Sequence, residues 1–149
     1  MLGGMSTLLV STTTADAETR LRVRLRQNAA FSGAGGVAAA AGCVPLADAM
    51  GVGQWWLLLA VGLGLLGFAA IVWIAASRPI PALLTDALEI SIADALWVIG
   101  SAVVVALGVF SALGAILMLG QAAVVAFFGV TQAHYRRATA AQYSNAPMS

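Results

Sequence analysis

Every basic residue of this chain is an arginine, and the seven arginines stand only where long apolar stretches begin or end. Arg20, Arg22, Arg24 and Arg26 precede the first stretch, Arg78 separates the second from the third, and Arg136 and Arg137 follow the last. The intervening segments at 45–53 and 111–114 hold no basic residue. The positive-inside rule predicts this alternation for four spanning helices with both chain ends in the cytoplasm. Composition points the same way. Apolar residues make up 61% of the 149 and charged residues 9%, far below the roughly 25% charged residues of a typical soluble protein. A chain with so few charges leaves apolar faces exposed in water, whereas a bilayer covers them.

The expected fold class is therefore an all-α bundle of four transmembrane helices, at about 28–44, 54–76, 81–110 and 115–133. Polar tails at 1–19 and 138–149 flank the transmembrane domain at 20–137. The first tail is rich in Ser, Thr and Ala and reads as disordered, and Met5 would serve as a start as well as Met1. In the run 19–28, arginine alternates with Leu or Val, which next to a membrane segment reads as a juxtamembrane arm or the first turns of a helix.

The first span is built of Ala and Gly. Ser32, Gly36 and Ala40, spaced by four, give it one flat face, and Ala60 with Gly64 gives the second span another. Trp55 and Trp56 at one end of the second span and Trp73 near the other match an aromatic belt. Pro79 and Pro81 end that span and start the next. The third span, at about 29 residues and 1.5 Å each, measures roughly 43 Å against a bilayer core of about 30 Å. Its first turns, with Asp86 and Glu89, are expected to project into the cytoplasmic interface.

Asp94 lies deeper in the same helix. At 100° per residue, Asp94, Trp97, Ser101 and Gly108 fall within about 60° of one another, a polar or small stripe expected to face inward. A carboxylate placed in lipid is costly and normally has a partner inside the protein. One reading is a proton-handling or ligand-binding group. The other is a structural Asp bonded to Trp97, to a serine or to an arginine across the helices.

The remaining polar residues have ordinary expected roles. Asn28 reads as a helix cap, Asp48 as a solvated turn carboxylate, Gln121 as an interhelical hydrogen-bonding group and His134 as an interfacial anchor. Asp86 and Glu89 share a face, but no Glu-x-x-His accompanies them, so no metal site is expected. The single cysteine, Cys43, excludes an intramolecular disulfide. Arg20–Arg26 followed by Ala40-Ala41-Gly42-Cys43 also matches a lipoprotein signal, an alternative opposed by the glycine-rich stretch and the three spans that follow. The glycines at 33–36 are not a phosphate loop, and the hydrolase, zinc-protease and redox motifs are absent, so no cofactor is expected.

The runs Asn28-Ala-Ala-Phe-Ser-Gly33, Ala75-Ala-Ser-Arg-Pro79 and Asp94-Ala-Leu-Trp-Val-Ile-Gly-Ser101 resemble small four-helix bacterial membrane proteins. The general plan over about 25–137 is similar to the DoxX-like group. That resemblance implies a compact bundle in the bacterial inner membrane and carries over no catalytic residue. The expected partners are the lipid bilayer, a second copy of the chain or a larger membrane complex, and no nucleic acid. The role expected first is non-enzymatic packing or assembly as an accessory subunit, and second a small transporter or proton-coupled protein using Asp94.

Overall fold

The computed structural model describes the backbone of residues 3–145 and the side chains of residues 16–145. The described chain is helical throughout, in the order α1 (Gly3–Ala41), α2 (Cys43–Met50), α3 (Trp55–Ala75), α4 (Ile80–Ala106) and α5 (Ala112–Ser144). Three of these, α3, α4 and α5, are long and apolar enough to cross a membrane. A fourth crossing is added if α1 and α2, bent by 91° at their junction, count as one span.

The boundaries differ from the expected ones for local reasons. Of the two readings of the arginine run, the structure takes the second, the first turns of the helix. α1 carries it as continuous helix, supported by Asp16–Arg20 and Glu18–Arg22 ion pairs four residues apart at 3.0 and 2.7 Å. The stretch 1–19, expected as a tail, is carried in α1 from Gly3, and its side chains before residue 16 lie outside the described residues. Residues 45–53, expected as a turn, are mostly helix, since Pro45 sits in the first turn of α2, where a missing N–H costs nothing. The bend falls at Gly42 instead. A Cβ there would stand 2.9 Å from the Ala38 carbonyl oxygen. α4 stops at Ala106, short of 110, and Gly108 follows it with a positive φ of 69°. α5 starts at Ala112 behind Ser111, whose Oγ accepts from the Gly114 N–H at 3.1 Å. It continues to Ser144 through most of the expected C-terminal tail, of which residues 146–149 lie outside the described residues.

α1 packs on α3 and α5, and α5 packs on α4, whereas α3 and α4 touch little although a short turn joins them. Glycine permits the α1–α3 crossing. A Cβ on Gly62 would lie 2.6 Å from the Ala40 nitrogen and 2.8 Å from the Gly36 oxygen. The expected face on α1 is therefore in contact through Gly36 and Ala40, and the position it meets on α3 is Gly62. Ala60 and Gly64 are exposed, and Gly62 between them makes the approach. The reason is the helix period, because the buried positions Leu58, Gly62 and Val72 define the inner side of α3.

Two apolar clusters close the ends. One joins Leu21, Leu25 and Ala29 of α1 with Val72 and Ala75 of α3 and Leu83, Ala87 and Ile90 of α4. The other holds Ala47, Met50, Val52 and Leu58, with Phe110 against it. At that second end, Gly51 takes a left-handed φ of 73°. There the Ser111 N–H donates to the Met50 oxygen at 2.8 Å and its Oγ to the Ala49 oxygen at 2.9 Å, tying α2 to the α4–α5 turn.

Arginines fasten the first end. Arg22 Nη1 donates to the Ala76 and Arg78 carbonyls, at 2.8 and 2.9 Å, in the turn that follows α3. Arg136 Nε donates to the Leu84 oxygen of α4 at 2.8 Å. Arg22→Gln is therefore expected to cost about 1–2 kcal/mol, the range for a charged hydrogen bond with some exposure. Denaturation in mixed detergent reads this directly, with the exposed Arg137→Gln as the comparison expected to show no change.

Candidate functional site

Buried polar residues interrupt the apolar interior, among them neighbours of the buried Val125 and Phe128 on α5. Asn28 and Ser32 on α1, Asp94 and Ser101 on α4 and Gln132 on α5 are all buried. Asn28 does not cap a helix. It lies deep within α1 with 0% exposure, and its Nδ2 donates to Asp94 Oδ2 at 2.8 Å. Ser32 Oγ in turn donates to Asn28 Oδ1 at 3.3 Å. The carboxylate, itself 3% exposed, is thus reached from a neighbouring helix by a neutral amide. The sequence placed a partner across the helices but not this one. A cap reading follows naturally when the helix is taken to begin at residue 28.

Backbone packing sets how closely α5 passes. A Cβ on Gly129 would lie 3.4 Å from the Asp94 Cβ, ordinary van der Waals contact, so α5 runs directly beside the carboxylate. One turn further along α5, Gln132 is fully buried with neither side-chain amide atom bonded. A fully buried amide without partners is uncommon, since each unmade bond costs about 1–3 kcal/mol. No periodic signal in the sequence marked Gln132.

The stripe expected on α4 is only partly realised. Asp94 and Ser101 are buried, Trp97 is half-buried, and Gly108 lies exposed beyond the end of the helix. Ser101 Oγ donates to the Trp97 carbonyl at 2.8 Å, so it is satisfied within its own helix. The indole N–H of Trp97 is buried with no acceptor.

Asp94 and Trp97 line a cavity of about 240 Å³ between α3 and α4. Val61, Gly64, Leu65 and Phe68 form its α3 wall, while Ser32 and Val125 are contributed by α1 and α5. A second cleft of about 430 Å³ shares Phe68 and Ala93 with the first and reaches Arg78, Asp86 and Glu89. Arg78 Nη1 lies 3.3 Å from Asp86 Oδ2. The two hollows therefore follow the α3–α4 gap from a charged mouth to the buried carboxylate.

The other sequence candidates do not join this site. Asp48 is exposed on α2, Gln121 is half-buried on α5, and His134 is exposed with its ring edge-on to Tyr135 at 5.3 Å. Among the described residues no three His, Cys, Asp or Glu side chains gather as metal ligands. No protein-family model matches the chain, nor does any curated protein or solved structure.

Proposed function

We propose that this chain is a multi-pass protein of the bacterial inner membrane, a four-span bundle with its arginine-rich end in the cytoplasm. Its role is to admit a small ligand or a proton to Asp94 through the α3–α4 gap. In this reading it is a small transporter or proton-coupled protein and carries out no bond-making reaction. The observation that carries the reading is Asp94, a buried carboxylate held by a neutral amide on the wall of a cavity between two helices that scarcely touch. Intramembrane carboxylates are costly and mark ion or substrate routes. A purely structural Asp would be served better by a closed interface than by one left open beside it.

A carbodiimide that partitions into lipid tests this. Diisopropylcarbodiimide adds to a reachable carboxyl with no leaving group, so the adduct appears in a peptide mass map. Asp94 is expected to be modified by this reagent and spared by a charged, water-soluble carbodiimide, which should label Asp86 and Glu89 instead. A folded protein whose Asp94 resists the apolar reagent would return the residue to a structural role.

Assembly is the second reading, and one observation favours it. Ala60 and Gly64 stay exposed on α3, with open space around Gly64, so a second copy or a partner helix can approach there. The Ser32–Gly36–Ala40 face is already used within the chain, at Gly62, and so is not open to a partner. Native mass spectrometry after gentle extraction separates the two readings by subunit count.

A further inference from the structure

We propose that the α3–α4 gap is a site for a small amphipathic organic cation, with its positive group at Asp94 and its apolar body along Phe68 and Trp97. This rests on the reading of Asp94 as a reachable carboxylate and adds the chemical class of the ligand.

Charge comes first. Among the described residues the arginines are directed elsewhere. Arg20 and Arg22 pair with Asp16 and Glu18, and Arg78 pairs with Asp86. Arg24 lies over the Phe127 ring at 5.4 Å and Arg26 over the Trp73 ring at 6.0 Å. Arg136 donates to the Leu84 carbonyl, and Arg137 is exposed. Among the described residues no ion pair reaches Asp94, and its side-chain hydrogen bond is from the neutral Asn28 amide. A buried carboxylate without a counter-charge is unfavourable, and a cation entering the cavity supplies that charge. An anion would be repelled by Asp94.

The walls then select the rest of the ligand. Val61, Leu65, Phe68 and Val125 offer apolar surface, which suits hydrocarbon and disfavours a hydrated metal ion. Phe68 on α3 and Trp97 on α4 both line the cavity, and aromatic side chains attract cations by about 0.5–2 kcal/mol. At about 240 Å³ the inner hollow is smaller than the roughly 300 Å³ at which ordinary ligand pockets begin. It therefore takes a compact head, and a longer body continues past Phe68 and Ala93 into the outer cleft.

The experiment uses the full chain in zwitterionic nanodiscs and follows the rate of Asp94 labelling by diisopropylcarbodiimide. Benzyltrimethylammonium is compared with neopentylbenzene, its neutral carbon isostere, at matched concentration in the bilayer. The cation is expected to slow labelling about tenfold more than the isostere does, given the combined charge and ring terms. Equal protection by the two, or protection by neither, overturns the cation assignment while leaving Asp94 reachable. Absence of labelling without any ligand overturns both this proposal and the reading beneath it.

Gly64→Leu provides the second arm. It adds bulk at the cavity's α3 wall, where a Cβ meets nothing within 4 Å, so folding is expected to survive, with weaker binding of the cation. Undiminished binding in a folded Gly64→Leu protein places the ligand elsewhere and overturns the proposal.

Discussion

Gly62→Leu is expected to destabilise the protein by about 3 kcal/mol or more, the upper range for forcing volume into a packed contact. Even the first carbon of the new side chain would stand 2.6 Å from the Ala40 nitrogen and 2.8 Å from the Gly36 oxygen. Both neighbours are backbone, which cannot rotate aside, so α1 must move away from α3 along its length. The same substitution at Gly64, half a turn away on α3, meets nothing within 4 Å. In mixed-detergent denaturation the first variant should lose stability and the second should keep it. A thermal scan should show a drop of roughly 10 °C for Gly62→Leu, by the scaling of midpoint with free energy. Equal behaviour of the two variants would mean that α1 and α3 do not cross at Gly36, Ala40 and Gly62.

That contrast also shows what the sequence made legible. The apolar segments disclosed the helical class, because α3, α4 and α5 are long apolar runs that length alone identifies. The Ser32–Gly36–Ala40 face was legible because small residues four apart leave little doubt about which side of a helix can approach another. The position it meets on α3 was not, since α3 holds Ala60, Gly62, Gly64 and Gly67 and spacing alone cannot choose among them. Only burial of Leu58 and Val72 on the same side selects Gly62. The helix ends were read short for another reason. Hydropathy falls where the arginines begin, but helicity does not, because Asp16 and Glu18 pair with arginines one turn on, and because Arg22 and Arg136 find carbonyls on other helices.

The site divides in the same way. Asp94 stood out as a lone carboxylate in an apolar helix, and its inward direction followed from the small and polar residues one turn away. Asn28 was visible but placed at a helix start, so its reach to Asp94 was hidden by the boundary error. Gln132 had no signal, since a glutamine near the end of a helix ordinarily faces water. The gap between α3 and α4 is tertiary, and no pattern along either helix encodes it.

Asn28 and Asp94 should behave as one unit. Asn28→Ala takes away the amide that Asp94 Oδ2 accepts from, and Asp94→Ala strands a fully buried Asn28. A hydrogen bond to a charged group is worth about 1.5–3 kcal/mol in water-soluble proteins. Interhelical bonds in membranes average nearer 0.6 kcal/mol and reach about 1.7. The burial of both partners favours the upper end of the membrane range, so each single change is expected to cost about 1.5 kcal/mol. The double variant should then fall short of the sum by about 1 kcal/mol, because once one partner is gone the second removal has no bond left to break. Ser101→Ala calibrates the cycle. Its hydroxyl is bonded to the Trp97 carbonyl of its own helix, and its loss should shift stability by less than about 0.5 kcal/mol. Strict additivity of Asn28→Ala and Asp94→Ala would sink the contact between α1 and α4. It would also leave the cavity carboxylate with nothing to orient it toward the α3–α4 gap.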